Sequence, residues 1–297
     1  MKSKEITDNA ILVSVSVIMG LIPGLNLFQI IPLIILSLKY QLRSIYGLAI
    51  ASLLLGLING GAVTILTSFV TIGMFAYFYG LLLRKGLETQ LFIGLASLVT
   101  LGVTLFSYLL SQILFNVNPM HSMVNIFLDS LKTAYGFYEH SPNAVEIRKQ
   151  YEFARTIITK SLPGLLFSAI VYYVLIIYYI LRFFLKKLKQ DIFTKIAFSE
   201  IRFPISLPIF MGIIFILDRI YPGPFLDSYL INIAYFIYGI AFLEGLSVLK
   251  YYLNRYKLQG WFLLFAFFVP YIFMFVGFTD IFIDLRKRGK RNENHIT

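Results

Sequence analysis

The chain of 297 residues is 58% hydrophobic and only 14% charged, with a mean hydropathy of +0.78, far from the soluble balance of about 45–50% apolar and about 25% charged. That composition is that of an integral membrane protein: at roughly 20 residues per crossing the length accommodates about eight or nine spans and excludes a separate water-soluble catalytic domain. Continuous apolar runs exclude an outer-membrane barrel, whose strands alternate. The 26 basic and 15 acidic side chains give a net charge of +11; the cations sit between apolar runs, which points to the positive-inside signal and anionic lipid rather than to nucleic acid. There is no cysteine, which excludes disulfides, thiolate metal sites and cysteine nucleophiles.

Residues 1–9 carry Lys2, Lys4, Glu5 and Asp8 ahead of the first apolar run. No small-residue cleavage site follows, so the segment is expected to be retained as part of the first helix. The first two runs, 10–22 and 28–38, are each shorter than a bilayer and are separated by Pro23-Gly24, which predicts two tilted helices joined by a tight loop or one broken helix. Run 45–58 leads into the turn signal Asn59-Gly60-Gly61, run 62–83 closes at Arg84-Lys85, and run 91–115 precedes the one long polar segment, 116–161. That segment carries five basic and four acidic residues, His121 and His140, and two stretches of helical period. Ser141 and Pro142 are the expected N-cap and first residue of its second helix, which aligns Ile147, Tyr151, Ala154 and Ile158 on one face. Both helices are expected on the membrane surface or folded over the bundle.

A sixth run, 162–185, is followed by the strongest cationic loop, 182–202; runs 204–217, 229–249 and 260–278 complete the membrane part. Six crossings place Lys2, Lys4, Lys39, Arg43, Arg84, Lys85 and the 182–202 loop on one side, expected to be cytoplasmic, and 116–161 outside. Three further full crossings would export a tail with five cations, so either the tail is outside or one run, most readily 204–217, does not cross. In the second case Lys250, Arg255 and Lys257 face out and the tail stays in, which the charge count favours. The expected fold is therefore an all-α, polytopic helical bundle with a six-helix part at 1–189, C-terminal membrane helices at 190–285 and a basic tail at 286–297.

An ionisable group in hydrocarbon needs a partner or a use. Glu244, within about one and a half turns of Lys250, reads as a paired or snorkelling carboxylate, or as a proton or cation site. Asp280 and Asp284 share a helix face, with Arg286 and Arg288 in reach, and read as a salt-bridged interfacial anchor. Asp218 beside Arg219 marks the end of a run. The uncharged amides Asn26, Gln29, Asn59, Gln112 and Asn116, with Asn118, all fall at extracytoplasmic helix ends, where they would line a ligand pocket or simply populate turns. Ala10 and Ser14 form a small-residue pair suited to helix docking. His-Glu-x-x-His, Gly-x-Ser-x-Gly, Walker and dinucleotide motifs are absent, and all three histidines lie outside the apolar runs, so no enzymatic activity, cofactor or metal is expected.

Two resemblances follow from these residues. The stretch from Ala241 through Glu244 and Gly245 to Val248, with Gly277-Phe278-Thr279-Asp280-Ile281-Phe282-Ile283-Asp284-Leu285-Arg286-Lys287 about thirty residues on, resembles the YybS-like family of predicted bacterial membrane proteins, which implies no activity. Residues 1–189 are similar in layout to the substrate-binding S components of energy-coupling-factor (ECF) transporters, through six spans with both ends inside, Gly20-Leu21-Ile22-Pro23-Gly24, Ile30-Ile31-Pro32 and Lys39-Tyr40. That likeness implies a small-molecule or vitamin-like solute bound near the outer face, a bacterial plasma membrane with the N-terminus cytoplasmic, and an external ATPase module docking at Ala10 and Ser14. The rival expectation is a scaffold or regulatory subunit that recruits a cytoplasmic protein or anionic lipid through its basic loops and tail.

Overall fold

A computed structural model of the chain describes residues 3–59, 62–138, 141, 143–187, 198–220, 224–257 and 269–286. Among the described residues the regular structure is all helical, and the chain forms two units, one of residues 1–123 and 170–195, the other of 124–169 and 196–297.

In the first unit, α1 (Ser3–Leu21) takes in the charged residues ahead of the apolar run and ends where Pro23 and Gly24 turn the chain. Gly24 has φ +84°, a conformation that costs a residue with a Cβ energy. A 3₁₀ turn, Asn26–Phe28, leads into α2 (Ile30–Tyr40), and a second, Gln41–Arg43, into α3 (Ser44–Asn59). The break between the first two runs thus separates two helices. At 11 residues α2 rises only about 16 Å against a hydrocarbon core of about 30 Å. Every residue of it from Ile30 to Leu38 is buried, with Leu33, Ile34 and Leu36 wholly so; a helix apolar on all sides belongs inside a bundle, and α2 packs against α1, α3 and α5.

Next, α4 (Ala62–Ser68) continues through a π-helical turn, Phe69–Met74, into α5 (Phe75–Arg84), and α6 spans Thr89–Phe115. Arg84 at the end of α5 donates from Nε to the Leu38 carbonyl (2.9 Å) and from Nη2 to the Ser37 carbonyl (2.6 Å). It supplies donors and positive charge to the C-terminus of α2, where four carbonyls lack helical partners. The last turns of α8 (Ala144–Lys187) complete this unit, with Val174, Ile177, Leu181 and Leu185 fully buried and the Tyr79 hydroxyl donating to the Val174 carbonyl (3.0 Å).

The second unit takes most of α7 (Pro119–Gly136), the first part of α8, a 3₁₀ turn Phe198–Glu200, α9 (Ser206–Ile220), α10 (Pro224–Arg255) and α11 (Pro270–Ile283). Tyr135 of α7 and Tyr151 of α8 meet with their rings tilted and the centroids 5.1 Å apart. α8 begins at Ala144, where the Asn143 carbonyl accepts from Ile147 (3.1 Å), two residues beyond the start expected at Pro142, which itself lies outside the described residues. The polar segment and the sixth run are not separate helices: α8 passes through Pro163 without a break. Proline removes one ladder bond and crowds the preceding turn, and Asn232 of α10 makes good the disturbance. Its Oδ1 accepts the Gly164 N–H (2.7 Å) while its Nδ2 donates to the Lys160 carbonyl (2.8 Å), so one side chain is inserted into what would have been the 164-to-160 helical bond. Gly164 is required there, because a Cβ would overlap the Asn232 carbonyl.

Among the described residues, five helical stretches are long and apolar enough to cross a membrane: Asn26–Ile58, Ile65–Arg84, Gln90–Phe115, Ala144–Lys187 and Tyr229–Arg255. Pro208–Leu217 and Pro270–Ile283 are apolar but shorter. The difference from eight or nine arises partly because α2 and α3 follow one another through helical turns and form one long apolar stretch, and partly because α1 carries its charges within the helix.

Candidate functional site

The second unit holds a buried charged cluster, built where α10 and α11 touch. Ala241 and Gly245 lie one turn apart on α10, and Gly277 faces them from α11. A Cβ on Gly277 would overlap the Ala241 carbonyl, and one on Gly245 the Phe273 carbonyl. Backbones in direct contact carry Glu244 and Asp280, each one position from such a contact or within one turn of it, to the same place.

The end of α11 then turns a cation back onto them. Asp284 caps the helix in the left-handed conformation (φ 53°), its N–H bonded to the Asp280 carbonyl at 2.9 Å. The Leu285 N–H donates to Asp280 Oδ1 (2.8 Å), and Arg286 folds inward to 2% exposure beside Glu244 at 1% and Asp280 at 4%. Nη2 of Arg286 donates to Asp280 Oδ2 at 2.5 Å and to Glu244 Oε1. Nη1 donates to the carbonyls of Ser199 and Ile201 and to Ser247 Oγ, each at 2.9 Å. The second Glu244 oxygen accepts the Phe203 N–H (2.9 Å), and Ser247 donates to the Phe198 carbonyl (2.8 Å). Tyr252 donates to the Leu285 carbonyl (3.2 Å), and at the exposed margin Arg202 pairs with Asp284 at 2.6 Å. Two carboxyls and one guanidinium are therefore enclosed together, and Arg286 Nε is buried with no hydrogen-bond partner among the described residues.

Glu244 thus meets Arg286 rather than Lys250. Asp280 and Asp284 take different partners, Arg286 and Arg202; Arg288 lies outside the described residues. The segment 198–203, whose carbonyls and N–H complete the cluster, has no side-chain signature that could announce it, and neither does the insertion of Asn232.

The other sequence-derived positions fall in the first unit. Gln29 precedes α2 with its carbonyl accepting from Ser16 (2.7 Å) and its side chain laid over Gly20, while Asn26 is exposed in the turn before it. Gln112 is exposed near the end of α6, and Asn116 caps that helix at φ 54°. Among the described residues no hydrogen bond joins Asn26 or Gln29 to Gln112 or Asn116, and the side chain of Asn59 lies outside what is described. On α1, Ala10 and Ser14 are exposed while Glu5, Asn9, Val13 and Ser16 are buried. Beside this buried stripe, Tyr40 donates to Asp8 at 2.5 Å and Lys39 pairs with it at 3.3 Å. The tyrosine hydrogen bond, with the bond and charge of Lys39, holds the Asp8 carboxyl below the usual carboxylate range against the opposing effect of desolvation.

Comparison with known proteins gives one match. The family described as predicted membrane protein (DUF2232) matches residues 10–282. The chain belongs to that family. No curated protein and no solved structure matches it. As a DUF2232 member the chain is a multi-pass membrane protein, and the match takes in α10, Glu244 and Asp280 but stops short of Arg286.

Proposed function

We propose that this DUF2232 member is a non-enzymatic, transport-associated subunit of the bacterial plasma membrane, with a cytoplasmic N-terminus. On this reading residues 1–189 form an S-component-like bundle for a small solute, 190–285 add membrane helices, 286–297 form a basic tail, and energy comes from an external ATPase module. The eight or nine spans and the YybS-like kinship belong to the same proposal. Its main support is the enclosed Glu244–Asp280–Arg286 cluster beside an apolar span. At the centre of a spanning helix a charge costs about 2.5–3.5 kcal/mol per residue on insertion scales, and charged groups kept within membrane segments mark ion and substrate pathways. The exposed Ala10–Ser14 face of α1 is the surface the reading assigns to the module. The amides Asn26, Gln29, Asn59, Gln112 and Asn116 are its candidate solute contacts, Gln29 being the one already seated against a neighbouring helix.

Affinity purification of the full chain from its native membrane tests this, together with thermal melting against a panel of small solutes. A solute at 100 times its dissociation constant stabilises by about 2.7 kcal/mol, and Ala10→Leu with Ser14→Leu should abolish co-purification of an ATPase or coupling subunit without lowering the melting temperature. If the wild-type chain retains no such subunit and no solute shifts its melting, the transport reading fails. The scaffold reading then leads, favoured by the exposed cations Arg43, Lys186 and Lys187.

A further inference from the structure

The geometry points to a proton as the resident ligand of the charged cluster: Glu244 and Asp280 hold one proton between them, clamped by Arg286. The inference rests on the transport reading for its purpose but not for its test.

Three observations carry it. Charge comes first. Two carboxylates and one guanidinium sum to −1, all three groups are at most 4% exposed, and an uncompensated charge in such a place costs several kcal/mol. Among the described residues the surrounding groups offer no second cation: Arg202 is spent on Asp284 at 2.6 Å, Tyr252 is a neutral donor to a carbonyl, Glu200 on the 3₁₀ turn is exposed, and Lys250 of α10 and Arg219 of α9 make no ion pair with the cluster. Asp280 also sits in the last turn of α11, where the helix dipole disfavours a further negative charge.

The second is where the carboxyls meet. Each gives one oxygen to a backbone N–H, Phe203 for Glu244 and Leu285 for Asp280, and the other to the same nitrogen, Nη2. Gathered on one nitrogen, the two carboxyl oxygens are brought close together, an arrangement that is repulsive for two carboxylates and favours a shared proton. The third is the unused donor. Arginine normally meets a carboxylate with a two-pronged fork, yet here Nη1 goes to neutral acceptors and Nε to none among the described residues. A doubly ionised pair would draw that donor; a pair with a single negative charge leaves it unspent.

Infrared spectroscopy of the full chain in lipid nanodiscs reads the proton directly. At neutral pH the wild type should show the C=O stretch of one protonated carboxyl per chain, shifted in D₂O and lost as the pH is raised. Glu244→Gln and Asp280→Asn should each remove the whole band, because a single carboxylate balances Arg286 and needs no proton. No such band in the wild type would overturn the proposal without recourse to any variant, as would a band that persists in whichever variants elute as folded protein. The band speaks only to the proton, and the capture of a solute or ATPase only to transport, so failure of one is distinguishable from failure of the other.

Discussion

Replacing Arg286 with methionine would remove the cation from two buried carboxyls and leave the carbonyls of Ser199 and Ile201 without their side-chain donor. Breaking a buried pair by deleting one partner costs about 3–5 kcal/mol, equivalent to roughly two to four decades in the folding equilibrium at about 1.4 kcal/mol per decade. Lysine keeps the charge but offers a compact ammonium with three donors and no planar fork, against the five bonds that Arg286 makes, so Arg286→Lys should fall between wild type and methionine. Adding Glu244→Gln and Asp280→Asn to Arg286→Met removes the uncompensated charge and should recover most of the loss. Detergent-mixed-micelle unfolding by SDS, followed by far-ultraviolet circular dichroism, gives the comparison. A cost for Arg286→Met within about 1 kcal/mol, the range of exposed ion pairs, would refute the enclosed cluster.

Gly277→Val drives a side chain into the Ala241 carbonyl and should cost about 3 kcal/mol, the upper part of the overpacking range; Gly102→Ala, which meets open space on α6, should be neutral or gain up to about 1 kcal/mol in the same titration. Asn232→Ala strips both partners from the Lys160 and Gly164 backbone groups and should cost about 1–3 kcal/mol, with faster hydrogen exchange confined to α8 around Pro163. Because the folded Asp8 carboxyl lies below its unfolded value, its contribution is present above the ordinary carboxylate range and lost as pH falls through the lowered value. Tyr40→Phe should flatten the acid limb of a melting-temperature profile, and an unchanged limb would remove Tyr40 as the cause. Single cysteines at Lys149 and Lys186 should react with impermeant reagents from outside and inside respectively; the reverse pattern would invert the topology.

Most helices were legible because apolar runs and charge stops are direct consequences of lipid solvation: α3, α6 and α10 contain the runs 45–58, 91–115 and 229–249. The course of α8 was not. Pro163 reads in sequence as the start of a span, yet α8 continues through it because an asparagine some seventy residues away supplies the missing bonding; propensity is local and the repair is tertiary. The charged start of the chain, expected in the first helix, does belong to α1, where Arg43, Lys39 and Tyr40 meet Glu5 and Asp8.

The acids of the cluster stood out in the sequence by their cost, but their partners did not, and the reason is geometrical. Lys250 is six residues from Glu244, which at 100° per residue sets the two about 120° apart around α10, off the faces that i+3 and i+4 neighbours share. Asp280 and Asp284 do share a face in an ideal helix, yet Asp284 adopts φ 53°, which ends the ladder and frees the chain to return. That one left-handed residue turns Arg286 from a tail cation into a buried one. A carboxylate in the last turn of a helix can thus recruit its counter-charge from just beyond the cap, and the sequence order Asp-Leu-Arg carries this only once the cap is known.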